Sequence, residues 1–517
     1  MVTPRLADLL RRAATDEPDR EAFLHGDERV TYGRLDRMAD GVAATLAGRG
    51  VTTGDVVALL LPSSIAFAAC YLGAARVGAI TTAINLRLGP AEQSSILRRA
   101  EPRVVVTGDP ARLPERVRPA SVLTVEDLDA AFSAPPPEHL PRPDAAGDPV
   151  CIVWTGGTTG VPKGAVYDHA ALAAIARGQG DVMSAHDRLL HAVPFAHLGF
   201  MGWCWGFLAR RMTIVLGPEP WSAAATLRLV EAARVTVMNG VPTQWSRLLD
   251  HEDVSLTDFS TLRVVAMGGA AAAPELIRRL RETLGCPVLN GYSATEAGVI
   301  SGTVIGDSDE VVAGTVGRPR SEVDLRIVGP DATDVPVGEV GEVICRSPAM
   351  MRGYWHDPDL TATVIDAEGY LHTGDLGRLR PDGNLTLAGR LTEMYIRGGY
   401  NVYPTEVEAV LTDHPAIARA AVIGAPDPVL GEIGVAFLVL DPGSGTPDAG
   451  DVPGRDALRA WCTDRIADYK APDRVVIVDE LPVTAVGKLD KNALAARWAE
   501  SLAAEAATPA DPAGGHR

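Results

Sequence analysis

Short β-branched runs alternate with helical stretches through the first 130 residues, with Val56 to Leu61, Ala79 to Ile84 and Arg103 to Thr107 as the runs. That rhythm predicts an α/β sheet with helices on its faces. The opening text, MVTPRLADLLRRAATDEPDREAF, sets charges on both sides of a short apolar stripe and reads as an amphipathic helix rather than a signal peptide. The longest apolar text, VVALLLPSSIAFAACYLGAARVGAI at 56–80, is split by Pro62, Ser63 and Ser64. It predicts a buried strand and a small-residue helix, neither near the ~20 continuous apolar residues of a membrane span.

A Pro-rich loop at 133–149 interrupts the rhythm, which resumes in RMTIVLGP, RVTVMNGVPT, LRVVAMGGA and CPVLNGYSATE, each an apolar strand running into a turn of small or polar residues. From about residue 312, VDLRIVGP, GEVICRS and GNLTLAGR are short strands between Gly and Pro turns and predict a small β-rich unit. A last α+β portion has AAVIGAPD, GVAFLVL and RVVIVDELP as strands, a polar surface loop at 441–456, and a tail from 501 expected to be disordered. No internal repeat is visible.

Composition sharpens this picture. A chain of 517 residues suggests about three compact units, and 46% hydrophobic with 22% charged residues is ordinary for a globular protein. A net charge of -18 argues against a general nucleic-acid surface, which needs a basic face. Six scattered cysteines without a C-x-x-C pair predict unpaired thiols in a reducing cytoplasm. Of 48 basic residues only four are lysine, Lys163, Lys470, Lys488 and Lys491. Lysine is kept where a compact charge on a flexible stem must reach one atom, so these positions point to chemistry.

Lys163 closes VWTGGTTGVPKGA, in which an apolar strand enters a loop with Gly156, Gly157, Gly160 and Gly164, and with Thr155, Thr158 and Thr159. Glycines let backbone N–H groups converge on an anion while hydroxyls and a lysine add donors and charge, a phosphate-cradling composition. The spacing is neither G-x-x-x-x-G-K-[ST] nor G-x-G-x-x-G, since Gly164 follows Lys163 and Pro162 precedes it.

The loop resembles the T-[SG]-G-T-T-G-x-P-K-G signature of adenylate-forming enzymes, the superfamily of acyl-CoA synthetases, and further motifs follow in that family's order to about residue 498. NGYSATEAG resembles the stretch whose aromatic packs on adenine and whose Thr-Glu pair meets phosphate and magnesium, implying roles for Asn290, Gly291, Tyr292, Thr295 and Glu296, with Thr158 as a second metal contact. Gly269 and Ala270 are implied nucleotide contacts. YLHTGDLG resembles the ribose motif and implies Asp375; GRLTEMYIRGGYNVYPTEVE implies Arg390 as a ribose or phosphate contact; PVTAVGKLDKNAL implies Lys488 as the mobile catalytic lysine.

The resemblance implies an α/β large N-terminal domain, 1–391, of two subdomains plus a small β-barrel-like unit, a hinge at Thr392, and a mobile α+β C-terminal domain, 392–500. It implies ATP, magnesium and coenzyme A, with Gly398 and Gly399 beside the pantetheine tunnel. His197, Gly199, Met201, Trp205, Val241, Gly268 and Ala297 are the expected acyl pocket, with no obvious lysine or arginine among its neighbours, so a neutral hydrophobic acid fits better than an amino acid. Thr392 stands where the family usually has Asp or Lys, which makes thioester formation less assured than adenylation. The alternatives are an adenylation-only enzyme serving a carrier protein or downstream acyl-accepting enzyme, and a non-catalytic nucleotide-binding protein. No nucleic acid and no membrane insertion are expected; a homodimer is compatible with the sequence.

Overall fold

The computed structural model describes residues 3–113, 121–134, 148–155, 162–268, 274–398, 400–441, 455–484 and 489–507. The apolar stripe near the start becomes the helix Leu6–Asp16, which buries Leu6, Leu9, Leu10 and Ala13, one face at helical spacing. The text at 56–80 becomes the fully buried strand Val56–Leu60 and the helix Ile65–Arg76, whose start is capped by Ser64 accepting the Phe67 N–H. No described helix is long and apolar enough to cross a membrane.

Two α/β sheets form the larger part. In the first, six strands run in the order Ser121–Leu123, Val104–Thr107, Val56–Leu60, Ile80–Ala83, Pro149–Thr155 and Lys163–Asp168, parallel except for the last pair. The second has nine strands, with a parallel centre that includes Arg188–His191, Val237–Gly240, Val264–Met267 and Val288–Ala294. Central strands buried on both faces explain the near-continuous Val, Ile and Leu of these runs. Open α/β sheets of this kind present ligands to the carboxyl ends of their strands.

The β-rich unit is a four-stranded antiparallel sheet ending in Leu371–Leu379 and Leu385–Arg390. Sheet membership changes between Arg390 and Tyr395, where a five-stranded sheet begins that takes in Ile417–Asp427, Gly431–Leu440 and Arg474–Ile477. The last helix, Lys491–Ala507, runs past residue 501, where the sequence reading had placed disorder. The run SLAAEAA is rich in Ala, Leu and Glu, strong helix formers that prolong a helix already begun.

One buried ionic cluster braces the first core. The Arg76 guanidinium, with a side chain 5% exposed, contacts the carboxylates of Asp36 and Asp40 on the helix Tyr32–Gly48. Arg11 of the first helix meets Asp40 at 2.7 Å. All six cysteines are buried and free, and the described residues hold no cluster of metal-ligating type.

Candidate active site

Two groups of side chains converge at the ends of the strands Pro149–Thr155 and Val288–Ala294. In the first, Glu296 sits in the turn between Val288–Ala294 and Gly298–Gly302, a turn made possible by Gly298 at φ 72° with Ala349 O only 2.8 Å from where a Cβ would stand. Glu296 Oε1 accepts the Tyr354 hydroxyl at 3.0 Å and the Thr155 hydroxyl at 3.4 Å. Thr155 faces Lys163 across the antiparallel pair, so the chain on both sides of 156–161 is fixed at this point. The Lys163 ammonium lies 5.6 Å from the centroid of the Tyr354 ring. Thr295 contributes its carbonyl, which accepts the Tyr167 hydroxyl.

Tyr354 is the site residue that the sequence reading missed. Residues 352–355 lie against the strand Lys163–Asp168, with Trp355 N–H donating to Gly164 O at 2.7 Å and Val166 N–H to Gly353 O at 3.0 Å. That pairing, between positions almost two hundred apart, leaves no local trace in the sequence. Burial, then the Glu296 charge, pushes the Tyr354 hydroxyl above the usual phenol range, so it stays a proton donor. Gly164 proves to be a packing position: a Cβ there would meet Ile152 Cγ2 at 2.7 Å and the Trp154 ring at 3.2 Å.

In the second group, Asp375, 7% exposed, stands between Tyr292 and Arg390. Its carboxylate accepts the Tyr292 hydroxyl at 2.5 Å and meets Arg390 Nε at 2.9 Å, and Asp375 and Arg390 are direct partners across their antiparallel strands. Burial and the Asp375 charge push the Tyr292 hydroxyl well above its usual range. An ionised carboxylate offers about four acceptor positions, so Asp375 retains capacity for two further hydroxyl donors, as a ribose would supply.

The expected pocket residues divide. His197 caps the short helix Leu198–Met201, its Nδ1 accepting the Gly199 N–H at 3.1 Å, which places the ring proton of the neutral imidazole on Nε2. Val241 precedes the helix Pro242–Leu249 and Gly268 follows the strand Val264–Met267, both part-exposed at strand ends. A Cβ on Gly268 would lie 3.1 Å from Gly291 O. Met201 and Ala297 are buried at 0% and 1% exposure. Trp205 is scaffold by its contacts: the indole N–H donates to Pro4 O at 3.1 Å, tying its helix to the N-terminal segment. Asn290 is likewise occupied, its side-chain amide donating to Thr315 O at 2.9 Å. Beneath the pocket segment lies His191, packed among Phe195, Phe200 and Phe207, its pKa pushed down to about 3 by burial and then by His197.

Two of the C-terminal candidates are among the described residues. Gly398 sits in an exposed hairpin with Ile396 and Tyr400, 47% and 58% exposed, and Thr392 is in the exposed turn after Arg390. Gly156, Gly157, Thr158, Thr159, Gly160, Gly269, Ala270, Gly399 and Lys488 lie outside the described residues.

Residues 10–355 match the family model of the AMP-binding enzymes, and residues 406–488 match that of the AMP-binding enzyme C-terminal domain. The chain is 34% identical over 496 residues to a feruloyl-CoA synthase of Amycolatopsis sp., covering 94% of this chain and 98% of that one. It is 34% identical over 513 residues to an indoleacetate–CoA ligase of Aromatoleum aromaticum, covering 94% and 97%. Among solved structures, the amide bond synthetase McbA from Marinactinospora thermotolerans superposes with a TM-score of 0.87 at 31% identity, over 95% of this chain and 99% of that one. With motif order, site geometry and both family matches in agreement, the chain belongs to the adenylate-forming family of AMP-binding enzymes, among its acyl-CoA synthetases.

Proposed function

We propose that this enzyme activates a neutral hydrophobic carboxylic acid, aromatic, alicyclic, polycyclic or medium-chain, and transfers it to coenzyme A. The acid's carboxylate attacks the α-phosphorus of ATP and pyrophosphate leaves; the thiol sulfur of coenzyme A then attacks the acyl carbon and AMP leaves. The observation that carries the reading is the pairing of the two groups above, a carboxylate with Tyr292 and Arg390 for the nucleoside, and Glu296 with Thr155, Tyr354 and Lys163 for the phosphates.

Bringing two anions together raises charge in the transition state, so the site must supply positive charge there. Glu296 fits a magnesium ligand: among the described residues no lysine or arginine lies within ion-pair distance of it, and its two hydrogen-bond partners are hydroxyls. Magnesium, when bound, neutralises phosphate charge. Lys163 stands at the root of the pyrophosphate-gripping loop. Lys488 is the group we assign to the attacking carboxylate and α-phosphate, brought by rotation of the C-terminal domain about Thr392. His197 is the residue we assign beside the carboxylate. The buried, unpaired cysteines favour a cytoplasmic location.

Amide bond formation by McbA makes an adenylation-only reading the second choice, together with Thr392 at the hinge. Pyrophosphate exchange across a panel of hydrophobic acids, followed by acyl-CoA analysis with the accepted acid, separates the two. Acyl-CoA formed with turnover supports the ligase; acyl-AMP accumulating despite excess coenzyme A rejects it in favour of the second reading.

A further inference from the structure

Lys491 opens the helix Lys491–Ala507, three positions after Lys488, and its side chain is only 15% exposed. Its Nζ lies 2.8 Å from Glu393 Oε2 and 2.8 Å from Glu408 Oε1. Glu408 belongs to the helix Pro404–Thr412, and the same Oε1 also accepts the Val422 N–H at 2.8 Å. Glu393 is one residue past Thr392, and its N–H donates to Arg390 O at 3.1 Å in the turn that follows the large domain's last strand. A single ammonium thus joins the turn at the hinge, the first helix beyond it, and the start of the last helix. Burial works to discharge it, but the two carboxylates hold its pKa above the ordinary lysine value, so it stays charged.

Val483 pairs with Leu489, and the Asp490 N–H donates to Pro482 O at 2.9 Å, so the chain on the two sides of 485–488 is held together immediately before Lys491. A second lysine provides a contrast: Lys470 contacts both oxygens of Glu406, on the helix Pro404–Thr412, at 2.7 Å, and has no described contact with the hinge turn.

We propose that Lys491 is a positioning residue for adenylation, which transmits rotation at the hinge to the neighbouring Lys488. The inference rests on the reading of Lys488 and Thr392 given above. Two carboxylates at 2.8 Å from one buried ammonium resist independent movement, so the start of the last helix moves with the turn at Glu393. Without that tie the helix start beside Lys488 can shift against the hinge, and an error of about 1 Å at a reacting group costs up to about 10²-fold in rate.

The test separates this role from simple stability. Glu393→Ala cuts the hinge arm and leaves the Lys491–Glu408 pair, so the domain keeps its fold. Pyrophosphate exchange is expected to fall about ten- to a hundredfold, with the KM for ATP and acid little changed. Thioester formation from supplied acyl-AMP should be nearly unaffected. Lys491→Met is expected to act in the same direction and more strongly, Lys491→Arg to restore most of the rate, and Lys470→Met to spare exchange. Unchanged exchange in Glu393→Ala, or equal losses in both half-reactions, overturns the proposal, and this decides it even where Lys491→Met does not fold. Lys488→Ala with intact adenylation is a different result: it removes the reading beneath the proposal, and the proposal with it.

Discussion

At the scale of the residue, the site depends on hydrogen bonds between groups far apart in sequence. Tyr354 holds the Glu296 carboxylate at 3.0 Å from beside a strand that also carries Lys163. A neutral donor to a charged acceptor contributes about 1.5–3 kcal/mol, and tenfold corresponds to ~1.4 kcal/mol. Tyr354→Phe should therefore raise the magnesium concentration needed for half-maximal pyrophosphate exchange by about tenfold or more. Direct titration of magnesium binding by calorimetry in the presence of AMP should shift in parallel. An unchanged magnesium requirement would show that Tyr354 merely packs. Glu296, Asp375 and Lys163 stand out in the sequence because each lies inside a motif with its own order and spacing. Tyr354 was hidden because its pairing is long-range, and the Trp205 bond to Pro4 was equally invisible, since an aromatic in an apolar stretch looks the same whatever its N–H meets.

At the scale of the element, most strands and helices followed from period and capping. The strand Val56–Leu60 and helix Ile65–Arg76 were readable because Pro62, Ser63 and Ser64 break the apolar run where the structure turns. What the pattern could not show is that the helix ends in a buried arginine. Arg76 donates to Asp36 O at 2.8 Å in addition to its two carboxylate contacts, and so fastens this helix to Tyr32–Gly48. Removing one partner from a buried ionic cluster costs up to about 3–5 kcal/mol when charges are left unpaired, and Arg11, which still contacts Asp36 and Asp40, reduces that cost here. Arg76→Met should lower the thermal unfolding midpoint by several degrees while leaving the KM for ATP unchanged, since the cluster touches neither group of site residues. A shifted KM with an unmoved midpoint would contradict that division. The continuation of the last helix to Ala507 is the opposite case, in which helix propensity prevailed over a composition that resembles a disordered tail.

At the scale of the whole molecule, two α/β sheets carry the residues proposed for the nucleotide, and a small antiparallel sheet adds Asp375 and Arg390. The fold class was legible because strand and helix alternate up to the Pro-rich interruption and again after it. The arrangement of the C-terminal part was less so, because it depends on ion pairs such as Lys470 with Glu406 and Lys491 with Glu408 and Glu393. Two of the four lysines therefore secure one helix of the C-terminal part, while Lys163 stands beside Tyr354. The remaining one, Lys488, is the centre of the account. The most direct measurement compares Lys488→Ala with the unaltered enzyme in the two half-reactions, pyrophosphate exchange with ATP and the accepted acid, and acyl-CoA formation from supplied acyl-AMP. Loss of exchange by about 10²-fold or more with thioester formation retained is the predicted result; equal loss of both, or exchange that survives, would contradict it.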